Sequence, residues 1–192
     1  MGQLTSIELG ILDDIQKIST PFLDRSMVDI TSLGNFSILW LAFIIIFLST
    51  KEYKRVGKVM VIAFILNIMI VNLLLKNIFD RSRPFELVDN FDLLIPPLKD
   101  GSFPSGHSSY AFTFFAIILY MTKSKSLKIF TGILAFLIAF SRLYLYAHFP
   151  TDVLAGSLIG FLLGILAINI YDNKNVRKIL PNKYLQIWPA ML

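Results

Sequence analysis

The chain has 192 residues, of which 55% are hydrophobic, and its mean hydropathy is +0.67. Because soluble domains contain about 45–50% apolar residues, this composition indicates a membrane protein and argues against a soluble domain. In a soluble protein the formal net charge of +5 would suggest nucleic acid as a partner, but here the placement of the basic residues explains the charge better. The lack of cysteine excludes disulfides and thiolate metal sites.

The first predicted element is an amphipathic helix over residues 4–18. Its apolar residues fall on one helical face: Leu4, Ile7, Ile11, Ile15 and Ile18. Its charged residues lie away from that face: Glu8, Asp14 and Lys17. This pattern is typical of a helix that lies in the membrane interface, and a sixth, weakly hydrophobic span is the alternative.

Five later segments are apolar and long enough to cross a bilayer, which requires about 20 residues. They are Leu33–Thr50, Gly57–Phe79, Pro104–Thr122, Leu127–Tyr146 and Val153–Tyr171. We therefore predict an all-α fold, a polytopic membrane helical bundle of about five transmembrane helices plus the N-terminal interfacial helix. Residues 1–192 are predicted to form one domain, with an N-terminal segment (1–32), a transmembrane bundle (33–171) and a cytoplasmic tail (172–192).

The distribution of basic residues predicts how the bundle is oriented. With five spans, the 51–58 loop, the 123–128 loop and the tail share one side, which holds eleven of the 18 Lys and Arg residues. The positive-inside rule makes this the cytoplasmic side of what we predict to be the plasma membrane. The N-terminus, the 80–103 loop and the 147–152 turn are then extracytoplasmic.

The first of three polar blocks lies near the outer end of the second predicted span, where Lys76 precedes Arg83 and Pro84 by about two helical turns. The two cations could therefore share a face, although Pro84 disfavours helix at Arg83. The alternative is that both side chains snorkel to the headgroups. Arg81 fits that snorkelling role better and is left out of the predicted site.

The second block, Pro104-Ser105-Gly106-His107, opens the third predicted span. Ser105 is a plausible N-cap, and Gly106 lets the backbone approach a ligand closely. The free N–H groups of a helix N-terminus bind anions, and His107 in the first turn could donate a proton to a leaving oxygen. The alternative is an ordinary capped helix with an interfacial histidine.

The third block combines Arg142, His148 and Asp152. Pro150 favours the first position of a helix, so Phe149 is predicted near the N-cap and Asp152 in the first turn. The carboxylate could then bond one imidazole nitrogen of His148 and leave the other as a nucleophile, while Arg142 makes a forked phosphate contact. The alternatives are a helix-capping Asp beside a surface His, or a buried Arg–Asp pair.

Together the three blocks resemble the type 2 phosphatidic acid phosphatase family. The family pattern is Lys-x6-Arg-Pro, Pro-Ser-Gly-His and Ser-Arg-x5-His-x3-Asp, and this chain carries KNIFDRSRP at 76–84, PSGH at 104–107 and SRLYLYAHFPTD at 141–152. The resemblance implies that His148 is the nucleophile and forms a phosphohistidine, that Asp152 orients it and that His107 protonates the leaving group. It implies that five residues hold the phosphate: Lys76, Arg83, Ser105, Gly106 and Arg142.

The resemblance also implies a lipid phosphate as the substrate: undecaprenyl diphosphate, phosphatidylglycerophosphate or phosphatidate. The motifs contain no carboxylate cluster that would hold a metal, so we predict an enzyme without a metal or other cofactor. The 85–103 loop mixes apolar and acidic residues, and we predict that it rests on the headgroups and frames the entrance; a plain connector is the alternative.

Other functions compete with this prediction. A soluble relative with the same site, such as a vanadate-dependent haloperoxidase, is disfavoured by the five apolar segments. In a transporter or scaffold the polar residues would serve structure, and Asn67 and Asn72 in the second predicted span fit that role, although interhelical hydrogen bonds explain them equally. The sequence leaves open the oligomeric state and any phosphotransferase activity.

Overall fold

A computed structural model describes residues 2–34, 38–89 and 91–173, and every regular element in these residues is helical. The elements are α1 (Gln3–Gln16), α2 (Pro21–Ser32), α3 (Ile38–Ser49), α4 (Lys54–Asn67), a π-helical segment (Ile68–Leu75), α5 (Lys76–Phe79), a 3₁₀ turn (Pro84–Glu86), α6 (Gly106–Met121), α7 (Lys125–Tyr144) and α8 (Pro150–Asp172). The predicted all-α class is confirmed for this part of the chain. The predicted tail lies outside the described residues from position 174 onward.

Three helical stretches are long and apolar enough to cross a membrane: Lys54–Glu86, α7 and α8. The apolar helix α3 is shorter, with 12 residues, and α6 has 16. The structure therefore supports an integral membrane protein with three clear spans, while the predicted total of five remains a prediction.

Helices α6 and α8 pack backbone against backbone at the centre of the bundle. Small residues face each other in register along the two helices: Gly156 against Ser105, Gly160 against Ser109, and Gly164 against Thr113. A Cβ atom on Gly164 would lie 2.8 Å from the carbonyl oxygen of Thr113, so only glycine permits this approach. Because both series advance in the same direction, the helices are parallel and present their N-terminal ends to the same side.

A polar network inside the bundle explains Asn67. Its amide donates to the Ala63 carbonyl at 3.0 Å and to the Thr113 hydroxyl at 2.9 Å, and its side-chain oxygen accepts from the Ser109 hydroxyl at 2.6 Å. Asn72 donates to the Tyr110 hydroxyl at 3.4 Å. Both asparagines therefore make interhelical hydrogen bonds that fix α6 against the preceding span.

Helix α1 turns its apolar face outward and packs its other face on the bundle. Leu4, Ile7 and Ile11 are exposed, in keeping with a helix at the membrane interface. Glu8 and Leu12, which lie off that face, are instead buried against the protein. The polar side of the predicted interfacial helix is therefore partly a protein contact, which the sequence pattern did not indicate.

Candidate active site

The three polar blocks converge on one cavity of about 400 Å³. It is lined by six of the eight predicted site residues: Lys76, Arg83, Gly106, His107, Arg142 and His148. The other two, Ser105 and Asp152, do not line it but are fully buried, and the backbone N–H of Ser105 donates to the Asp152 carbonyl at 3.0 Å. Both histidines and three cations thus face a single space.

Lys76 and Arg83 reach the cavity from two different pieces of backbone. Lys76 begins α5, which ends at Phe79, and Asp80 then adopts a left-handed conformation that turns the chain. Arg83 follows in an extended conformation before Pro84, so the two cations do not share a helical face as the sequence allowed. Both are buried, which contradicts the snorkelling alternative.

The carboxylate of Asp100 bridges these two cations, a contact that the sequence analysis missed. It accepts from the Lys76 ammonium and, at 2.7 Å, from the Arg83 guanidinium. Burial alone would raise the pKa of Asp100, but the hydrogen bonds and charges of Lys76 and Arg83 outweigh it and lower the pKa to about 2. Asp100 is therefore ionised at any physiological pH, and it binds the cations that a phosphate would need.

We expect Asp100→Asn to strengthen inhibition by inorganic phosphate or vanadate. Removing the internal anion leaves Lys76 and Arg83 free for an external one, and a partly exposed ion pair worth roughly 1 kcal/mol corresponds to about a fivefold lower inhibition constant. Inhibition constants are measured in detergent beside Asp92→Asn, an exposed carboxylate of the same loop. A constant that is unchanged or higher only in the Asp100 variant would contradict competition by this residue.

His107 is placed by the capped start of α6. The predicted N-cap is confirmed, because the Ser105 hydroxyl accepts from the Ser108 N–H at 3.4 Å. A Cβ atom on Gly106 would make only ordinary contacts, at 3.5 Å from Asn72 and 3.9 Å from Lys76. Packing therefore does not require glycine here, which leaves approach to a ligand as the reason consistent with its place in the cavity wall.

His148 lies between α7 and α8 and is held in one tautomer by contacts to both ring nitrogens. Nδ1 lies 2.7 Å from the Ser102 carbonyl, which can only accept, so Nδ1 carries the proton. Nε2 lies 3.2 Å from the Arg83 guanidinium, which can only donate, so Nε2 is unprotonated and its lone pair accepts from Arg83, a residue that also lines the cavity. An imidazole held this way has its nucleophilic nitrogen already defined.

Burial lowers the pKa of His148 well below its usual value, because the charged imidazolium loses its hydration. The positive charges of Arg83, Arg142 and Lys76 lower it further, and the Ser102 carbonyl opposes them. The imidazole is therefore neutral at neutral pH, which is the form that can attack phosphorus.

Asp152 supports His148 indirectly, which corrects the predicted direct bond. Its carboxylate lies 3.8 Å from His148 Nδ1, too far for a hydrogen bond. It accepts instead from the Phe149 N–H at 2.9 Å and from the Ser102 hydroxyl, while Arg81 donates to its other oxygen at 2.6 Å. Asp152 thus caps α8 and pairs with Arg81, but beside a buried His148 and not a surface histidine, with Ser102 as the link to the histidine.

Arg81 was predicted to snorkel, and that prediction is wrong. Its side chain turns inward, donates to Glu8 and Asp152, and lies 3.9 Å above the Phe149 ring. The only sequence signal for these buried contacts is the position of Arg81 within the first motif, two residues before Arg83.

Arg142 is fully buried, and only part of its guanidinium is hydrogen-bonded to residues that the structure describes. Its NH1 group donates to the hydroxyl of Thr31 on α2. Its Nε and NH2 groups have no hydrogen-bond partner among the residues that the structure describes. Buried donors without partners are costly, so this side chain in the cavity wall is suited to an anionic ligand that accepts a two-pronged contact.

The sequence profile of the PAP2 superfamily matches residues 56–176, a range that contains all three motifs. The chain belongs to the PAP2 superfamily. The predicted resemblance is confirmed, and with it the class of enzyme, a phosphatase. This assignment replaces the transporter and scaffold alternatives, and the membrane-spanning helices argue against the soluble haloperoxidase alternative.

Individual PAP2 relatives match most of the chain. It is 32% identical over 174 residues to an undecaprenyl-diphosphatase of Sulfolobus acidocaldarius, covering 91% of this chain and 82% of that one. It is 34% identical to phosphatidylglycerophosphatase B of Bacillus subtilis, covering 82% and 79%. The crystal structure of Aquifex aeolicus LpxE superposes with a TM-score of 0.74 at 32% identity, covering 84% of this chain and 94% of that one.

Proposed function

We propose that this protein is a lipid phosphatase of the plasma membrane that acts through a phosphohistidine on His148. One observation carries the proposal: both histidines line the same cavity as three cations, one of which, Arg142, has donors without a partner among the described residues. A transferring phosphoryl group spreads negative charge over its oxygens, so fixed cations and N–H donors stabilise its transition state.

The first step forms the phosphoenzyme. Lys76, Arg83 and Arg142 hold the phosphate oxygens together with the backbone of α6 at Gly106, which the Ser105 cap positions. Nε2 of His148 exchanges its hydrogen bond from Arg83 for a bond to phosphorus, and the bond from phosphorus to the lipid oxygen breaks. His107, protonated once the bound anionic phosphate offsets the neighbouring cations, supplies the proton to that oxygen. The Nδ1 N–H keeps its proton and its hydrogen bond to the Ser102 carbonyl, which stabilises the positive charge that develops on the ring.

The second step returns the enzyme to its starting state. His107, now neutral, takes a proton from water while the water oxygen bonds to phosphorus and the phosphorus–nitrogen bond breaks. The electron pair returns to Nε2 of His148, and phosphate leaves. The net reaction is hydrolysis of a phosphate ester or diphosphate, with cations of the protein filling the role that a metal has in other phosphatases; we propose metal-independent activity.

The lipid class and the sidedness of the site are part of the proposal. The names of the relatives support undecaprenyl diphosphate and phosphatidylglycerophosphate as candidates, with phosphatidate as a third. The excess of basic residues in the 51–58 and 123–128 loops supports an extracytoplasmic site, at the opposite ends of the adjoining helices. A lipid phosphate in that leaflet would enter by lateral diffusion.

The test is phosphate release by the purified chain in detergent, with the three candidate lipids and an excess of chelator. We expect release from at least one lipid at a rate that the chelator does not change. Absence of release from all three would contradict the lipid phosphatase, whereas activity lost in chelator and restored by magnesium would contradict only metal independence.

The acidic limb of the pH profile follows from the environment of His148. Because burial and the neighbouring cations lower its pKa, the neutral nucleophile persists below the ordinary histidine value of about 6.5. We measure kcat/KM with a soluble phosphate ester, because this parameter reports protonation in the free enzyme. We expect protonation of the nucleophile to lower kcat/KM only below that pH. An NMR titration of labelled histidine that gives His148 a pKa above about 6.5 would contradict this.

A further inference from the structure

Glu8 is a carboxylate buried beside the active site but contributed by the N-terminal helix α1. Only 2% of the residue is exposed. Its carboxylate accepts from the Thr151 N–H at 3.0 Å, from the Thr151 hydroxyl at 2.6 Å and from the Arg81 guanidinium at 2.5 Å. Glu8 therefore holds the first turn of α8, although it lies 48 residues before the PAP2 match begins at residue 56.

Arg81 connects Glu8 with the residues around His148. One nitrogen donates to Glu8, and the other donates to Asp152 at 2.6 Å and to the Thr151 hydroxyl at 2.8 Å. The guanidinium also lies 3.9 Å above the ring of Phe149, the residue that follows His148. A single side chain thus contacts three other side chains at the start of α8.

Ser102 completes the connection to the nucleophile. Its backbone N–H donates to the Arg81 carbonyl at 2.8 Å, and its hydroxyl donates to Asp152. Its carbonyl accepts from Nδ1 of His148 at 2.7 Å. The orientation of the imidazole therefore depends on Ser102, whose position depends on Arg81 and Asp152.

The charges in this group are also interdependent. Asp152 is fully buried, and its partner Arg81 is shared with Glu8. A buried carboxylate without its guanidinium partner is strongly destabilised, because its lost hydration is no longer compensated. Glu8, Arg81 and Asp152 therefore hold one another in a single arrangement.

We propose that Glu8 is a positioning residue for the phosphatase reaction, which acts through Arg81, Asp152 and Ser102 to hold His148 in line for attack. This inference rests on the proposed function. Helix α1 is then part of the catalytic apparatus: its outer face is apolar and exposed, and its inner face fixes the nucleophile. Glu8 does not touch the cavity, so its effect falls on the rate of phosphoryl transfer and leaves phosphate binding unchanged.

The experiment compares the full-length wild type with Glu8→Gln, Arg81→Met and the double variant in rapid-quench single turnovers with radiolabelled lipid phosphate. The rate constant of phosphohistidine formation reports the alignment of His148, and the amplitude reports the fraction of intact sites. Asp14→Asn is the matched control, because Asp14 is an exposed carboxylate of α1 that pairs only with Lys17 among the described residues.

We expect Glu8→Gln to lower the rate constant about tenfold. A displacement of about 1 Å at the reacting atoms costs on the order of 10²-fold, so a tenfold loss corresponds to a smaller displacement of His148. The amplitude and the vanadate inhibition constant should stay within about twofold of wild type, as expected if the phosphate site is intact. The double variant should be no slower than Arg81→Met, because both residues act through one connection, and Asp14→Asn should match the wild type.

Two results would overturn the positioning role while leaving the phosphatase intact. One is a normal rate constant in Glu8→Gln; the other is a lower amplitude at an unchanged rate constant, which indicates a purely structural contribution. Multiplicative losses in the double variant would overturn the route through Arg81. A wild-type protein that forms no phosphohistidine would overturn the proposed mechanism and this inference together.

Discussion

Replacing His148 with alanine is expected to lower phosphate release by at least about 10³-fold, because the variant has no atom that can take the place of Nε2 as nucleophile. The loss should fall on kcat, since the three cations that we propose to bind phosphate remain. The measurement is phosphate release from the best lipid substrate, together with trapping of the acid-labile, alkali-stable phosphoenzyme in an alkaline quench.

His107→Asn is the informative comparison for this prediction. With an aryl phosphate, whose leaving group needs no proton, the His107 variant should still accumulate phosphoenzyme because its nucleophile is intact. The His148 variant should accumulate none with any substrate. Phosphoenzyme in the His148 variant, or release within about tenfold of wild type, would move the nucleophile to another residue.

Replacing Arg142 is expected to have the second largest effect. Its two donors without described partners fit a forked contact to phosphate, which lysine cannot reproduce. We expect Arg142→Lys and Arg142→Met to lower kcat/KM by about 10²-fold or more, in line with the loss of one strong transition-state contact. Arg55→Lys is the control, because Arg55 pairs with Asp172 at the far end of α8.

The Arg142→Met variant should be at least as stable as the wild type, although its activity falls. A buried cation with an incomplete set of hydrogen bonds costs folding free energy, and an apolar side chain of similar length removes that cost. Thermal unfolding in detergent should therefore occur at the wild-type temperature or above. A clear drop in unfolding temperature along with the lost activity would show that Arg142 serves the fold more than the phosphate.

The sequence predicted the parts of the site that depend on local chemistry. The N-caps at Ser105 and Phe149 follow from Pro, Ser and Gly at helix starts. The convergence of the motifs follows from the cost of charged residues beside apolar segments, which indicates a common functional site. Local pattern has no access to partners far along the chain. Ser102 lies 50 residues from Asp152, and Glu8 lies 73 residues from Arg81, so neither contact has a signature in spacing.

The N-terminal helix shows the same limit in another form. Helical periodicity separates the apolar face of α1 from its polar face, but does not tell whether a polar face meets water or protein. For Glu8 the answer is set by the start of α8, which offers the Thr151 N–H to a carboxylate. A pattern of charge along one helix cannot contain that information.

The π-helical segment Ile68–Leu75 has a consequence for where Lys76 points. Lys76 lies nine positions after Asn67, which in an α-helix is two and a half turns and would set the two side chains on opposite sides. Yet both face α6, Asn67 through Thr113 and Lys76 beside Gly106. The wider π turns absorb the missing half rotation, and such turns often mark functional positions. Rewound as an ordinary helix, the same residues would aim the ammonium group away from α6, so the proposed phosphate site depends on an irregularity of winding as much as on its charged side chains.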